Sequence, residues 1–422
     1  MRSMKTLSLS PTLKGVNEAV ETLEGVSTFT PLQLFDSLSD KFECNVQLKR
    51  EDLQLVRSYK LRGAFNKMSS LSRTEKEKGV VCASAGNHAQ GVAYACMKLK
   101  VSGLIFMPTT TPKQKVEAVK RFGGKYVQIQ LKGDTFDDAY SEAMAVAIKF
   151  DKTFIHPFDD LKIIEGQGTV GLEVLAQSEQ PIDYLLFPIG GGGLAAGLIT
   201  VFSEISPLTQ LIGVEPGGAA SMSHALNCKT NAELSSIEKF VDGAAVKKVG
   251  ALTFSICQNS LADILKVETG KICETIIELY NHEAIVAEPA GALSIASLNQ
   301  IKDQIKGKNV VCILSGGNND ISRMEDIKER AAMYKGEKHY FLVDFPQRSG
   351  ALKEFVLDVL GEADDIFHFQ YLKKHARTYG SAVVGIDVPS KEEYTALTIR
   401  MKEKGFYKEY LNNNKALMDV LV

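Results

Sequence analysis

Short apolar runs alternate with amphipathic segments along roughly the first 330 residues. The apolar runs are typical of buried strands and span 79–83, 104–107, 126–130, 185–187, 211–214 and 310–314. Segments 113–121 and 135–149 lie between such runs and have the spacing of helices. Because strands and helices alternate, this pattern predicts an α/β fold with a parallel sheet covered on both faces.

The pattern changes after Ser322. Residues 324–335 have the pattern of a charged helix that ends at Gly336. The segments beyond it alternate as strand, helix, strand, strand, helix and strand, at 339–345, 349–360, 366–372, 381–387, 392–404 and near Phe406. This order is that of a ferredoxin-like α+β unit. The sequence therefore predicts two domains, 1–330 and 337–422.

Four consecutive glycines separate two uncharged runs: Gly190, Gly191, Gly192 and Gly193. We expect a strand, a turn without side chains and the start of a helix. Since no Cβ obstructs the backbone N–H groups and the helix dipole is positive here, the turn is expected to bind a phosphate. It also matches a dinucleotide fingerprint, with Ala196 as the last small residue and Glu215 in the place of the ribose ligand. On this turn alone, a dinucleotide, a simple phosphate and purely structural glycines all stay open.

Composition and charge narrow the class of ligand. The chain has 422 residues, of which 45% are hydrophobic and 24% charged, so it can bury substantial cores. A net charge of −2 and a pI near 6.4 provide no basic field for nucleic acid or for an anionic membrane. We therefore expect a small neutral or zwitterionic ligand.

The uncharged stretch 184–203 is long enough to raise a membrane-spanning interpretation. Pro188 and the four glycines would break a spanning helix at its centre, so we interpret the stretch as a buried strand and helix. The first ten residues lack the apolar core and cleavage site of a secretory signal. We expect the protein to be cytoplasmic.

The cysteines are scattered and never have CxxC spacing: Cys44, Cys82, Cys96, Cys228, Cys257, Cys273 and Cys312. They are expected to be reduced core residues. The histidines and cysteines form no cluster in the sequence, so no transition-metal site is expected.

Three polar motifs are each predicted to lie where a strand ends or a helix begins. Lys60 lies in Ser-Tyr-Lys-Leu-Arg-Gly-Ala, Asn87 lies in Ser-Ala-Gly-Asn-His, and Ser315 opens Ser-Gly-Gly-Asn. In an open parallel sheet, loops at the carboxyl ends of strands meet in one crevice. A lysine, a phosphate turn and polar loops are what a pyridoxal phosphate enzyme needs there, because the amine holds the cofactor covalently and the turn anchors its phosphate.

These motifs, together with Thr30-Pro-Leu and Glu288-Pro-Ala-Gly, are distributed over most of residues 26–320. In this the chain resembles the fold type II pyridoxal phosphate enzymes, the tryptophan synthase β-like class, and most closely the threonine dehydratases (threonine ammonia-lyases). The resemblance implies two parallel-sheet subdomains, the smaller of which, 54–150, is inserted in the larger. It also implies pyridoxal 5'-phosphate as the cofactor.

The resemblance implies a role for each motif. Lys60 would hold the cofactor covalently, be released by the substrate amine and then remove the Cα proton. Asn87 would form a hydrogen bond with the phenolic oxygen of the cofactor. The substrate carboxylate would lie on the loop made of Ser84, Ala85, Gly86, Asn87 and His88. The phosphate would lie on Gly190, Gly191, Gly192, Gly193 and Leu194.

Ser315 would face the pyridine nitrogen of the cofactor. A hydroxyl group cannot stabilise a pyridinium as a carboxylate would, so the ring draws less charge from Cα. The electrons then remain available to expel a β substituent, which favours elimination and a β-hydroxy amino acid as substrate. For L-threonine the products would be 2-oxobutanoate and ammonia.

Three alternatives stay open at this point. Serine racemase has the same loops and uses a serine at the place of Ser84 as a second acid/base, so L-serine dehydration or racemisation is one alternative. A dinucleotide-dependent dehydrogenase built on the glycine turn is another, and a non-catalytic amino-acid sensor is the third. Some relatives bind a divalent cation at positions that correspond to Glu215, Ala219 and Ser221. Because the last of these is not acidic here, we expect no tight divalent site.

Segment 345–352 resembles the strand-to-helix turn of the ACT-like domains in biosynthetic threonine dehydratases. The resemblance implies regulation, with isoleucine as inhibitor, valine as its antagonist and a homotetramer as the assembly. A domain that only makes oligomer contacts is the alternative, because a single unit must complete its effector pocket across a subunit interface or do without.

Overall fold

The computed structural model describes residues 10–371 and 378–421. The chain divides into two compact units, Met1–Ile321 and Ser322–Val422. Most of the N-terminal stretch inspected for a secretory signal, residues 1–9, lies outside the described residues, as does Leu372 at the end of a predicted strand. The domain limits 1–330 and 337–422 and the inserted subdomain 54–150 stay predictions.

The larger sheet of the first unit has six strands. They are β1 Leu32–Leu34, β2 Asn45–Arg50, β7 Tyr184–Pro188, β8 Gln210–Pro216, β9 Asp263–Val267 and β10 Asn309–Leu314. Their order in the sheet is β1-β2-β10-β7-β8-β9. All neighbours pair in parallel except β1, which is antiparallel to β2. The carboxyl ends of β7 and β10 therefore lie at one edge of this sheet.

The smaller sheet of the first unit has four strands. They are β3 Val80–Ala83, β4 Gly103–Met107, β5 Val127–Leu131 and β6 Thr153–Phe154. The order is β5-β4-β3-β6, and every pair is parallel. The α/β prediction is thus confirmed, with one sheet that is parallel throughout and one that is parallel except for the edge strand β1.

Fourteen α-helices connect and cover these strands in the described part of the first unit. They are α1 Leu13–Leu23, α2 Asp36–Phe42, α3 Lys60–Ser69, α4 Arg73–Lys78, α5 Asn87–Leu99, α6 Lys113–Gly123, α7 Phe136–Lys149, α8 Leu161–Gln177, α9 Gly193–Ile205, α10 Ser221–Cys228, α11 Ala251–Cys257, α12 Thr269–Glu283, α13 Pro289–Ala296 and α14 Lys302–Ile305. Separate apolar cores lie beside the two sheets, one built around α9 and β7 and the other around α3, α5 and β3.

All six strands predicted in this unit are present, whereas β1, β2, β6 and β9 were missed. Strand β2 was not predicted because it contains Lys49 and Arg50 beside only two apolar residues. Lys49 is nevertheless fully buried, and its amine donates to Glu173 at 2.6 Å and to the carbonyl of Thr30 at 2.6 Å. A buried charge with a partner is tolerated inside a fold, but its partner is invisible in the local sequence.

The second unit is a ferredoxin-like domain, as predicted. After α15 Met324–Lys335 come β11 Lys338–Pro346, α16 Ala351–Glu354, β12 Asp365–Tyr371, β13 Tyr379–Asp387, α17 Lys391–Glu403, β14 Tyr407–Tyr410 and α18 Lys415–Leu421. The antiparallel sheet has the order β12-β13-β11-β14. Helix α16 continues as a π-helical turn, Phe355–Val359, and α18 was not predicted.

The structure tests two further predictions, on the uncharged stretch 184–203 and on the burial of the cysteines. In the described ranges no helix is both long and apolar enough to cross a membrane. The stretch 184–203 folds instead as β7, a turn and most of α9. Six cysteines are buried, but Cys228 is exposed, so its assignment to the core was wrong. It is the last residue of α10 and precedes the left-handed Lys229, and residues 227–230 are all exposed.

Candidate active site

Lys60 is held beside the end of β10 by backbone contacts on both sides. Ser58 forms an antiparallel bridge with Gly316, and the N–H of Tyr59 donates to the carbonyl of Ser315 at 3.3 Å. Helix α3 then begins at Lys60 itself. The lysine and the Ser315 motif are more than 250 residues apart in the sequence, and these contacts make them neighbours.

The Lys60 amine lies in a partly buried position. Its Nζ donates to the carbonyl oxygen of Pro157 at 2.9 Å. Burial lowers the pKa of Lys60 to about 8, while the nearby Glu288 carboxylate opposes that shift. A large fraction of this amine is therefore neutral near pH 8, unlike an ordinary lysine.

Asn87 is fixed from two directions. Its Nδ2 donates to Oε1 of Glu288 at 2.6 Å, and its Oδ1 accepts from Nδ2 of Asn318 at 2.7 Å. Asn318 in turn donates to the carbonyl of Val56 at 2.8 Å. This chain of bonds leaves one N–H of Asn87 for another acceptor. Burial and the nearby Asp242 raise the pKa of Glu288 to about 7.

The loop Ser84–His88 leads from β3 into α5. The N–H of Gly86 donates to the Ser84 hydroxyl at 3.2 Å, and a Cβ on Gly86 would meet no heavy atom within 4 Å. The first helical bond, from Gln90 N to Gly86 O, leaves the N–H groups of Asn87 and His88 without helical acceptors. The loop can thus receive an anion on its open side.

His88 contributes to this loop through its backbone, because its imidazole is engaged elsewhere. The ring Nε2 lies 2.9 Å from the carbonyl oxygen of Ile155. Burial and the charge of Lys60 lower the pKa of His88 to about 3, so the ring is neutral and donates to that carbonyl.

The glycine turn forms as predicted between β7 and α9. Gly192 has φ +93°, a conformation that favours glycine. A Cβ on Gly191 would lie 2.2 Å from the ring of Phe158, and one on Gly190 would lie 2.9 Å from Ala244. The first helical bond, Ala196 N to Gly192 O, leaves the N–H groups of Gly193 and Leu194 without helical acceptors. The turn is therefore a side-chain-free anion seat at a helix N-terminus.

Ser315 is buried at the end of β10, and its hydroxyl donates only a long bond, 3.3 Å, to the carbonyl of Ala290. The hydroxyl is therefore weakly held and available to a better partner. Nearby, the buried hydroxyl of Ser58 has no hydrogen-bond partner among the described residues.

Residues 155–159 were not predicted from the sequence to belong to the site, yet this segment reaches both ends of it. Pro157 accepts from Lys60, Phe158 packs on the glycine turn, and the Asp159 carboxylate accepts from the first N–H groups of α11. The signal was His-Pro-Phe-Asp-Asp directly after an apolar pair, but β6 is only two residues long and did not stand out as a strand.

Glu215 is engaged by the start of α10. Both carboxylate oxygens accept hydrogen bonds at the start of α10, from Met222 N at 2.7 Å and from Ser223 N and Oγ at 2.8 and 2.7 Å. Because the Glu215 side chain is fully buried, a ribose hydroxyl could not reach it. The Ser221 hydroxyl donates to the carbonyl of Val246. Within the ranges that the structure covers, no group of three or more potential ligands could hold a metal ion.

The residues present fit pyridoxal phosphate. A partly buried amine with a lowered pKa lies beside a weakly held hydroxyl at Ser315 and a fixed amide with a free N–H at Asn87. Two helix N-termini provide two separate anion seats, one for a phosphate and one for a carboxylate. The donor set matches an aldehyde cofactor with one phosphate and a substrate with one carboxylate.

Two family models match the chain. The model described as pyridoxal-phosphate dependent enzyme matches residues 23–316. The model described as the C-terminal regulatory domain of threonine dehydratase matches residues 329–421. The two matches lie entirely within the first and second structural units, respectively.

Individual proteins show the same likeness. The biosynthetic L-threonine dehydratase IlvA of Halalkalibacterium halodurans is 55% identical over 404 residues, which are 96% of this chain and 97% of that protein. The structure of processed threonine deaminase isoform 2 from Solanum lycopersicum is 41% identical with a TM-score of 0.71, covering 76% of this chain and 95% of that one. Serine racemase from Dictyostelium discoideum is 30% identical with a TM-score of 0.68, covering 74% and 99%.

Proposed function

Because this chain belongs to the biosynthetic L-threonine dehydratases, a family of pyridoxal-phosphate dependent enzymes, we propose that the crevice between Lys60, Ser315 and the glycine turn is its active site. The protein is a lyase that converts L-threonine to 2-oxobutanoate and ammonia. One observation carries the assignment of the site: the Lys60 amine, buried enough to titrate near pH 8, lies among the motifs of three strand ends. When bound, pyridoxal phosphate acidifies the Cα proton of an amino acid and lets the β-hydroxyl leave.

Lys60 is the base in this proposal. Its neutral amine, held toward Pro157 at 2.9 Å, can accept the Cα proton without first losing one. Glu288 influences this amine through charge, since the ionised carboxylate favours the protonated form of Lys60. The balance between these two groups sets how much neutral amine is present at a given pH.

The two helix N-termini orient the ligands. The N–H groups of Asn87 and His88 and the hydroxyl of Ser84 hold the substrate carboxylate, while those from Gly190 to Leu194 hold the phosphate. Binding at both ends keeps Cα near the Lys60 amine, which is the positioning part of catalysis. Ser315 gives the pyridine nitrogen a neutral partner, and this supports elimination.

Product analysis tests the proposed reaction. We expect the purified enzyme with pyridoxal phosphate to release 2-oxobutanoate and ammonia in equal amounts from L-threonine. L-Serine in the same assay would give pyruvate, and chiral analysis for D-serine would reveal racemisation that uses Ser84 as a second acid/base. Loss of L-serine to D-serine without turnover of L-threonine would contradict the proposal and favour the racemase.

The second unit offers a place for an effector. A cavity of about 330 Å³ lies between β11, α16 and β12. It is lined by Phe345, Leu352, Phe369 and Tyr371 on its apolar side and by Gln347 and Arg348 on its polar side. Apolar walls next to an arginine and a helix start suit a branched aliphatic amino acid. We propose that isoleucine binds here as inhibitor and that valine competes with it.

Trimming the cavity wall tests the effector site. Phe369→Ala removes apolar area that the ligand would cover, so the isoleucine concentration for half-maximal inhibition should rise about tenfold, the size expected for an aromatic side chain that the ligand buries in part. Ile399→Ala, at an exposed residue of α17 outside the cavity, is the matched control and should leave that concentration unchanged. Equal inhibition of the wild type and both variants would contradict this effector site. Isoleucine would then bind elsewhere, or the second unit would only make oligomer contacts.

We also propose a cytoplasmic homotetramer that supplies 2-oxobutanoate for isoleucine synthesis. Exposed apolar side chains on the first unit, including Phe29, Leu53 and Leu55, support self-association. The coupling between effector and active site would then be of the usual few kcal/mol and act through the assembly.

A further inference from the structure

The segment 155–159 connects the motifs of the active site. It leaves β6 with Ile155, whose N–H donates to Val81 of β3 at 2.8 Å and whose carbonyl accepts from His88. Two residues later, the carbonyl of Pro157 accepts from the Lys60 amine at 2.9 Å. The segment is thus bonded both to the helix that carries the carboxylate loop and to the helix that carries the lysine.

The other end of the segment supports the glycine turn. The ring of Phe158 lies against Gly191, close enough that no Cβ fits there, while the Cα, Cβ and carbonyl oxygen of Phe158 lie against Gly193. Asp159 binds three N–H groups at the start of α11, at 2.9 to 3.2 Å. From that helix, Thr253 donates to the carbonyl of Gly191 at 2.7 Å. The segment and α11 therefore hold the turn from two sides.

His156 fixes the bend between these two ends. Its Nδ1 accepts from the N–H of Asp159 at 2.8 Å and from that of Phe158 at 3.3 Å. Both bonds need a lone pair on Nδ1, so the imidazole is neutral and its proton is on Nε2. The ring also meets Phe158 edge-on, with centroids 4.7 Å apart. One neutral imidazole thus sets the conformation of the two residues that follow Pro157.

We propose that His156 is a positioning residue for the active site. Its Nδ1 accepts hydrogen bonds from the N–H groups of Phe158 and Asp159, and these bonds direct the Pro157 carbonyl toward Lys60. The same bonds hold Phe158 against the glycine turn. His156 touches neither substrate nor cofactor in this role. The inference rests on the proposed function, since it concerns the lysine and the phosphate seat of that same site. Protonation of the ring would remove the acceptor and release the segment.

The charges that face His156 determine when this release occurs. Asp159 and Asp160 on its own segment favour the protonated ring, whereas Lys60 of α3 disfavours it, and His88 of α5 lies close enough to interact. Burial outweighs the two carboxylates and lowers the pKa of His156 to about 4. The segment is therefore held throughout the neutral range and released only in acid.

Two substitutions distinguish the role of the Nδ1 acceptor of His156 from that of its aromatic ring. His156→Phe keeps an aromatic ring against Phe158 but has no acceptor. His156→Asn loses the ring but keeps a side-chain oxygen that can accept from the same two N–H groups, as asparagine does in Asx-turns. The affinity of the apoprotein for pyridoxal phosphate, measured by fluorescence titration, reports on the phosphate site independently of catalysis. The pH dependence of cofactor uptake reads the pKa of Lys60.

We expect His156→Phe to weaken cofactor binding by at least about tenfold and to shift the pKa of Lys60, while His156→Asn retains most of the affinity. The reverse order, or equal affinity of both variants, would overturn the proposal. If His156→Phe does not fold, the wild type and His156→Asn decide at pH 4 to 5. Both proteins lose cofactor affinity in acid as Lys60 becomes protonated, but only the wild type should show a further loss. An identical dependence of affinity on pH in the two proteins would overturn the proposal. A wild type that binds cofactor normally but does not turn over threonine would instead refute the proposed function.

Discussion

Replacing Lys60 by alanine is expected to lower kcat for L-threonine by about 10⁴-fold, the upper end of what a general base contributes. In the proposed function, the substitution removes both the amine that holds the cofactor and the base that accepts the Cα proton. Covalent attachment should disappear too, which can be measured as cofactor retained by the denatured protein after borohydride reduction. Lys98→Ala, at an exposed lysine of α5, is the control and should keep activity and attachment.

The lowered pKa gives this prediction a second readout. Below about pH 8 the Lys60 amine is mostly protonated and cannot combine with an aldehyde. Uptake of pyridoxal phosphate by the wild-type apoprotein should therefore speed up with pH and level off above about 8. A lysine with the ordinary pKa of 10.5 would keep accelerating by two further pH units or more. Continued acceleration to pH 10, or covalent attachment in Lys60→Ala, would show that another lysine holds the cofactor.

A methyl group on the glycine turn is expected to weaken cofactor binding strongly. In Gly191→Ala the added Cβ would lie 2.2 Å from the ring of Phe158, so either the ring or the turn must move. In Gly192→Ala the residue must adopt φ +93° with its Cβ 2.8 Å from Thr253. Strain of about 2 to 3 kcal/mol in either variant corresponds to an affinity for pyridoxal phosphate about 30- to 150-fold lower.

The cause of the loss differs between these variants, and a second substitution distinguishes them. Phe158→Ala removes the ring that meets the new methyl group, so it should restore part of the affinity of Gly191→Ala. It should restore none of the affinity of Gly192→Ala, whose strain lies in its own backbone and against Thr253. A double-mutant cycle on dissociation constants measures both couplings, with Phe158→Ala alone as reference. Equal coupling in the two cycles would mean that crowding by Phe158 is not the reason.

Much of the fold followed from local pattern. Strand β7, the glycine turn and α9 could be predicted because an apolar run, four residues without side chains and a second apolar run leave few other conformations. The second unit was also predictable from local pattern, since the spacing of apolar residues differs clearly between its helices and its strands. Helix α18 was missed, because Lys415–Leu421 is short and ends the chain.

The site was harder to predict, and the difference is physical. Lys60, Asn87 and Ser315 could be proposed as site residues from the sequence because each lies in a motif that resembles a known family. The roles of Pro157 and His156 could not, since a backbone carbonyl has no sequence signature and the imidazole acts on its own segment. Likewise, the pKa of Glu288 depends on burial and on Asp242, which are set by tertiary packing.

The amide of Asn87 has a further consequence for binding. Glu288 and Asn318 already hold both of its ends, so its rotamer and its flip are settled before any ligand arrives. Because the side chain is already ordered, its conformational entropy is lost on folding, and cofactor binding does not have to order it again. Holoenzyme formation should therefore gain the full hydrogen bond from Asn87, and a loosened amide would shorten the residence time of the cofactor.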